Sequence, residues 1–279
     1  MIRFNVADIA IEIISTKLYK PNKLESFYSS NKKLSDLKIN IDCSPFIPKP
    51  KNLTLSSSEI NWSHSTSMDS AYIYNDEADK VLLSLSVNKN YDSASITYLK
   101  DYCDDEYAIS GPIGEILFRN RILFSQGLVI HSAAIDYQGK GIIFSAPAGT
   151  GKSTQARLWK EHIGASILNG DRPAIRVVNN KPIVYGTPWS GSSTDFKNCC
   201  APLAAIIMLE QAAENSITKL DKSKAVIYLM PRCFLPYQSS ELMTSALDNL
   251  DMLIKNTPIY LLKCKPDKEA VELVYECVK

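Results

Sequence analysis

The 279-residue chain has no uninterrupted apolar run near the roughly 18 residues that a membrane-spanning helix requires. It also has almost no net charge: 31 Lys and Arg stand against 30 Asp and Glu, so no global field draws it toward nucleic acid or a lipid surface. The opening Met1-Ile-Arg-Phe-Asn-Val-Ala-Asp8 lacks the apolar block of a secretory signal. These absences lead us to expect a cytoplasmic protein with no nucleic-acid and no membrane partner. The seven cysteines (Cys43, Cys103, Cys199, Cys200, Cys233, Cys264, Cys277) are odd in number and show neither CxxC nor CxH spacing. That fits reduced thiols better than disulfides or zinc, although the adjacent Cys199 and Cys200 keep a redox or soft-metal reading open.

With 45% hydrophobic residues the chain can build one large core or two modest ones. Over residues 1 to about 105 apolar and polar positions alternate, at Ile2, Phe4 and Val6, at Ile9, Ile11 and Ile13, and from Val81 to Val87, which predicts β-strands. Lys32 to Asp36 and Phe46 to Lys51 read as loops. The stretch around Ser56 to Ser58, and Ser63 and Ser65 flanking His64, reads as too polar for core. Asp104-Asp105-Glu106 followed by Ser110-Gly111-Pro112 is a composition break, so we expect a mixed β-rich domain at 1–110 and a second domain at 111–279. The first is either a stabilising module or a platform for a peptide or protein substrate.

In the second domain Pro112 predicts a helix to about Gln126, stopped by Gly127. Strands are expected from Leu128 to Ile135, with His131 inside, and from Gly141 to Ala146, joined by a hairpin-like turn at Asp136 to Lys140. Ser166 to Asp171, Ala174 to Val178, Ile183 to Tyr185, Leu203 to Leu209 and Ile259 to Leu262 read as further strands. Lys222 to Met230, Ser239 to Ile254 and Asp267 to Val278 read as helices.

The segment that carries chemistry is Ala146-Pro147-Ala148-Gly149-Thr150-Gly151-Lys152-Ser153-Thr154, which follows an apolar strand and opens a helical pattern. It is a relaxed Walker A phosphate loop, with Ala146 where the usual pattern has Gly. Its glycines let main-chain N–H groups curl around phosphate oxygens, Lys152 supplies a charge for the outer phosphates, and Ser153 offers a hydroxyl to Mg2+. The expected ligand is ATP or GTP with magnesium. Transfer of phosphate also needs a carboxylate and further cations. Asp171, at the end of the strand after the loop helix, is the candidate carboxylate because neighbouring parallel strands open on one crevice at their carboxyl ends. The competing reading is a turn aspartate stabilising Gly170 to Pro173. Arg172 either pairs with Asp171 or reaches phosphate, and His131, in a strand beside the site, is a hydrogen-bonded core residue or a contact to the transferred group. Trp189, in Gly186-Thr-Pro-Trp-Ser-Gly-Ser-Ser193, caps a ligand or simply packs, and Arg232 is a more remote candidate.

Taken together, His131-Ser132, Ala146 to Ser153, Asn169-Gly-Asp-Arg172 and the Gly-Thr-Pro-Trp-Ser-Gly loop resemble the catalytic domain of the HPr kinase/phosphorylase family, over roughly residues 125 to 210. Ala201 to Gln211 is similar to the branch that includes lasso-peptide precursor kinases. The resemblance implies an α/β fold with a P-loop core related to phosphoenolpyruvate carboxykinases, and an ATP- and Mg2+-dependent kinase acting on a serine of a small protein or ribosomally made precursor peptide. It puts Lys152 on phosphate, Ser153 and Asp171 on Mg2+, His131 near the transferred group, and Asp171 as metal ligand or base. A homo-oligomer is implied only by analogy, HPr kinases being hexamers. The family has two consecutive aspartates where this chain has Gly170-Asp171, which puts the reverse phosphorylase reaction in doubt. A small-metabolite kinase or carboxykinase-like enzyme and a non-catalytic nucleotide-binding regulator are the alternatives.

Overall fold

The computed structural model describes residues 1–15, 22–30, 34–56, 60–75, 77, 79–191 and 193–279. Lys32 and Lys33 of the expected loop, Ser57 and Ser58 of the polar stretch, and Ser192 lie outside the described residues. The chain is mixed α/β and divides into two compact units, Met1–Phe124 and Ser125–Lys279. The division falls beyond the boundary expected at 110/111, because the helices that follow the composition break are fastened to the first unit. Asp105 accepts from the hydroxyls of Ser15 and Tyr98, and Arg121 Nε donates to the Asp36 carbonyl at 2.9 Å.

The first unit is a seven-stranded sheet formed by β1 (Ile2–Val6), β2 (Ile9–Ser15), β3 (Leu37–Ser44), β4 (Asn61–His64), β5 (Met68–Asn75), β6 (Lys80–Asn88) and β7 (Ser93–Leu99). The helices α1 (Asp105–Ser110) and α2 (Pro112–Arg121) follow. The spatial order is β1-β2-β3-β7-β6-β5-β4, with parallel pairing only between β2 and β3 and between β3 and β7. Period-two alternation puts Val81, Leu83, Leu85 and Val87 of β6 on one buried face while their neighbours are half-buried. Within the polar stretch around His64, Asn61–His64 form an edge strand in which Ser63 and His64 are only half-buried. Its polarity is tolerated because β4 is an edge, and because His64 Nδ1 meets the buried Asp69 at 2.7 Å, where Lys89 and Tyr91 also converge. α2 ends earlier than expected, its last residues tightening into a 3-10 turn at Ile122–Ser125.

The second unit contains β8 (Gly127–Val129), β9 (Ser132–Tyr137), β10 (Lys140–Ser145), α3 (Lys152–Ile163), β11 (Ser166–Asn169), β12 (Ala174–Val178), β13 (Lys181–Tyr185), β14 (Cys200–Gln211), β15 (Ser216–Lys219), α4 (Lys222–Leu229), α5 (Ser240–Asn256), β16 (Ile259–Cys264) and α6 (Lys268–Val278). The long β14 holds the sheet together. Its first residues pair antiparallel with β13, which continues to β12 and β8, and its later residues lie parallel between β10 and β16. Beyond β10 come β9 and then β11, both pairings antiparallel. The turn between β9 and β10 works because Gln138 and Gly139 both take positive φ, 51° and 78°.

The expected single strand from Leu128 to Ile135 is broken. Ile130 bridges to Cys233 and the His131 N–H donates to the Arg232 carbonyl at 2.8 Å, so the chain steps from one part of the sheet to another between β8 and β9. Hydrophobicity runs straight through this step and gives no sign of it.

α3 shows why a helix forms here. Lys152, Gln155, Ala156 and Trp159 recur at helical spacing and are its buried face, while Gly164 closes the helix in the left-handed region with its N–H on Lys160. Trp159 packs with Phe144, Ile142, Ile207 and Val274 in the core beneath the sheet. Among the described residues no helix is long and apolar enough to cross a membrane. Trp159→Ala should cost about 3–5 kcal/mol through the cavity it leaves; urea unfolding measures it, and a loss under about 1 kcal/mol would contradict this packing.

Candidate functional site

The phosphate-loop segment leaves β10 at its carboxyl end and enters α3 directly. Thr150 N–H donates to the Pro147 carbonyl at 3.3 Å, closing a tight turn, and Gly149 and Gly151 have φ of 77° and 119°, values that side-chain-bearing residues rarely adopt. A Cβ at either position would meet nothing within 4 Å, so glycine is required by conformation and the space before the loop is open. No side chain caps the start of α3, which leaves its first N–H groups available to an anion. Lys152 is buried at 8% exposure and donates to the carbonyls of Ala146 and Pro147 at 3.2 and 3.4 Å. Burial pulls its pKa below the ordinary 10.5, while Asp171 opposes that pull and Arg232 adds to it. Ser153 is exposed on the first turn. This is a fit to a polyphosphate: donors, a cation and free volume in one place.

Two cavities flank the loop, of about 610 and 340 Å3. Gly149, Thr150 and Gln211 border both, and the Gln211 amide approaches the carbonyls of Gly149 and Thr150 at 3.5 Å. The larger cavity extends toward Tyr228, Pro231 and Arg232, and the smaller toward Thr154, Gln155 and Cys264.

Asp171 does not end a strand adjacent to β10. Antiparallel β9 lies between β10 and β11, so the carboxylate is two strands from the loop, not one. The insertion has a useful effect: because β9 runs backwards, its start rather than its end lies at the edge where β10 and β11 finish, and that start carries His131. His131 Nε2 lies 3.1 Å from Asp171 Oδ1, and Arg172 Nε donates to Asp171 Oδ2 at 3.0 Å. The Arg172 guanidinium sits 5.6 Å above the Phe234 ring, which is also 6.2 Å from the His131 ring. Desolvation first, then the charges of Lys152, Arg172 and Arg232, hold the His131 pKa below 6.5 against the opposing pull of Asp171. The imidazole is therefore neutral at pH 7 and meets Asp171 as a hydrogen-bond donor rather than as half of an ion pair.

The turn-stabilising role considered for Asp171 belongs instead to Asn169. This fully buried side chain accepts from the N–H groups of Asp171 and Arg172 at 2.9 and 2.6 Å, and donates to the carbonyls of Thr187 and Trp189 at 2.9 and 3.2 Å. It fastens the Asp171 turn to the loop at 186–191 and leaves the Asp171 carboxylate for other partners. Trp189 is buried and packs rather than capping an open pocket. Gly191, at φ 58°, lies so close to the Asp171 carboxylate that a Cβ there would overlap it. A Cβ on Gly170 would overlap Ser193, so this turn has no room for a second aspartate beside Asp171.

The structure thus brings Lys152, Asp171, His131 and Arg172 to one edge of the sheet, and adds two residues that sequence reasoning undervalued. In the sequence Asn169 is one member of the Asn169-Gly-Asp-Arg172 stretch, with no signal of its own. Arg232, half-buried and lining the larger cavity, acts electrostatically on both Lys152 and His131 although it is distant in sequence. Its one sequence signal was a cation after Met230-Pro231. Among the described residues no group of three or more His, Cys, Asp or Glu gathers to hold a metal.

No protein-family model matches the chain, and no curated protein matches it. Among solved structures it is similar to the Hpr(Ser) kinase/phosphatase from Coxiella burnetii, with 13% identity, 53% of this chain and 94% of that chain covered, and a TM-score of 0.33.

Gly170→Asp should lower stability by about 1–3 kcal/mol through overlap, with partial recovery when Ser193→Gly is added; a neutral single variant would contradict the crowding. His131 yields a pH prediction. Its folded pKa is lowered, so below 6.5 the unfolded chain takes up a proton that the folded chain refuses, and stability falls as pH drops from 6.5 toward the folded value. His131→Gln should flatten that part of the curve in urea unfolding at a series of pH values, and an unaltered slope would count against the buried neutral imidazole.

Proposed function

We propose that this protein is an ATP- and Mg2+-dependent phosphotransferase that moves the γ-phosphoryl group to a serine hydroxyl of a small protein or ribosomally made precursor peptide. The observation that carries this reading is the contact of His131 and Arg172 with Asp171 at the same sheet edge as an open, lysine-bearing phosphate loop.

The N–H groups of residues 148 to 154 hold the phosphates, and Lys152 exchanges its two carbonyl partners for phosphate oxygens. Arg172 and Arg232 stand on the side where charge develops on the migrating group. Ser153 and Asp171 are the residues that would hold Mg2+, whose charge would offset that of the phosphates. As the serine oxygen bonds to the γ-phosphorus, the bond to the bridging oxygen breaks and ADP leaves with its electron pair. Asp171, as base, takes the hydroxyl proton, and neutral His131 fixes the orientation of that carboxylate by donating to Oδ1. Asp171 as metal ligand alone is the other assignment of this residue. A second reading, a nucleotide-binding regulator without transfer, is favoured by the crowding at Gly170, which leaves no room for a second carboxylate next to Asp171 in the chain.

Incubation with γ-labelled ATP, Mg2+ and candidate peptides, ideally one encoded beside this protein, should give phosphoserine. Lys152→Ala and Asp171→Asn should each lower the rate by at least about a hundredfold, on the scale of losing a charge that stabilises the transition state. Undiminished transfer in both would end the reading, and tight ATP binding without transfer to any peptide would select the regulator.

A further inference from the structure

The smaller cavity has a feature that a phosphate site does not need. Gln155, one turn into α3 and only 2% exposed, lines it; its Nε2 donates to Cys264 Sγ at 3.4 Å, while its Oε1 is buried with no hydrogen-bond partner. An orphan buried acceptor forfeits its hydration without return, so a native chain keeps one where something else supplies the donor. The walls around it are apolar on the Leu209, Cys264 and Pro266 side, with Thr154 and Lys265 as the polar rim. A volume of about 340 Å3 falls within the roughly 300–1,000 Å3 of small-molecule sites.

The sheet order gives this cavity its place in the site. Along the edge where the strands end, the sequence of groups is Asp171 after β11, His131 before β9, the phosphate loop after β10, Gln211 ending β14, and Cys264 ending β16. The acidic and basic cluster lies on one side of the loop and the Gln155 cavity on the other. A triphosphate whose terminal phosphorus faces Asp171 therefore directs its nucleoside past Gln211 toward β16.

Resting on the nucleotide reading above, we propose that the Gln155 cavity is the base site and that Gln155 selects adenine. A primary amide carries two N–H donors and a carbonyl, so Gln155 can keep Cys264 as partner of one hydrogen and still present Oε1 and the second hydrogen side by side. That pair matches the exocyclic amine and adjacent ring nitrogen of adenine. Guanine and hypoxanthine place a carbonyl where adenine has the amine, opposite Oε1, and so leave two acceptors facing each other. The Cys264 thiol beside the amide supplies a buried, weakly polar surface against the ring.

Isothermal titration of the full chain with Mg2+ and four probes tests this: ATP, inosine triphosphate, purine riboside triphosphate (which lacks only the amine), and inorganic tripolyphosphate. The expected result is ATP binding at least about tenfold tighter than both other nucleotides, as for loss of a paired base contact. Gln155→Leu, close in size, should bring ATP to the level of purine riboside triphosphate while tripolyphosphate affinity is unchanged. Nucleotides that bind equally well whatever group stands at the six position, or an adenine preference that survives in Gln155→Leu, overturn the base assignment and leave the phosphate loop intact. Loss of all binding, tripolyphosphate included, overturns the nucleotide reading and this inference with it. If Gln155→Leu does not fold, Gln155→Met, unbranched and without the amide, carries the same comparison.

Discussion

Three cationic side chains, Lys152, Arg172 and Arg232, act on His131 against one carboxylate, Asp171, and the surplus positive charge is the constraint from which the rest of this region follows. Lys152 is held inside the loop by main-chain carbonyls, Arg172 is spread over an aromatic ring, and His131 is kept neutral. Each arrangement limits repulsion in the absence of a counter-charge. A polyanion entering the loop would relieve all of them at once, which is a physical reason to expect phosphate there.

The architecture places these groups with economy of sequence. Four strand ends and one strand start meet at one edge, and the reversal of β9 lets a residue that begins a strand face residues that end others. Asn169 then converts proximity into order. With its amide divided between two backbone N–H groups and two backbone carbonyls, it ties together a turn and a loop separated by 18 residues. Main-chain partners do not vary with neighbouring side chains, so the carboxylate beside them inherits a fixed position.

Much of the second unit could be read from the chain because the relevant signals are local. A phosphate loop needs glycine where φ is positive and lysine at the helix start, and α3 shows its period in four residues. The N-terminal strands announce themselves by alternation. What could not be read depends on pairing across the sheet. Nothing in Leu128 to Ile135 marks the step at Ile130, because both halves are apolar and the interruption comes from Arg232 and Cys233, far along the chain. The placement of β9 between β10 and β11 is likewise a matter of partner choice. Ser63 and His64 show polarity on an edge strand, where a central strand would not tolerate it. Asn169 and Arg232 were understated for a related reason: their importance lies in what they touch, and single residue types do not disclose that.

The hold of Lys152 on the carbonyls of Ala146 and Pro147 has a geometric corollary. A trans peptide unit points its oxygen and its hydrogen in opposite directions. Turning the Pro147 oxygen inward to the ammonium turns the Ala148 hydrogen outward, and the preceding unit, ending in a proline nitrogen, has no hydrogen to misdirect. The lysine thus acts as a rivet that sets the polarity of the entrance to the turn before any guest arrives.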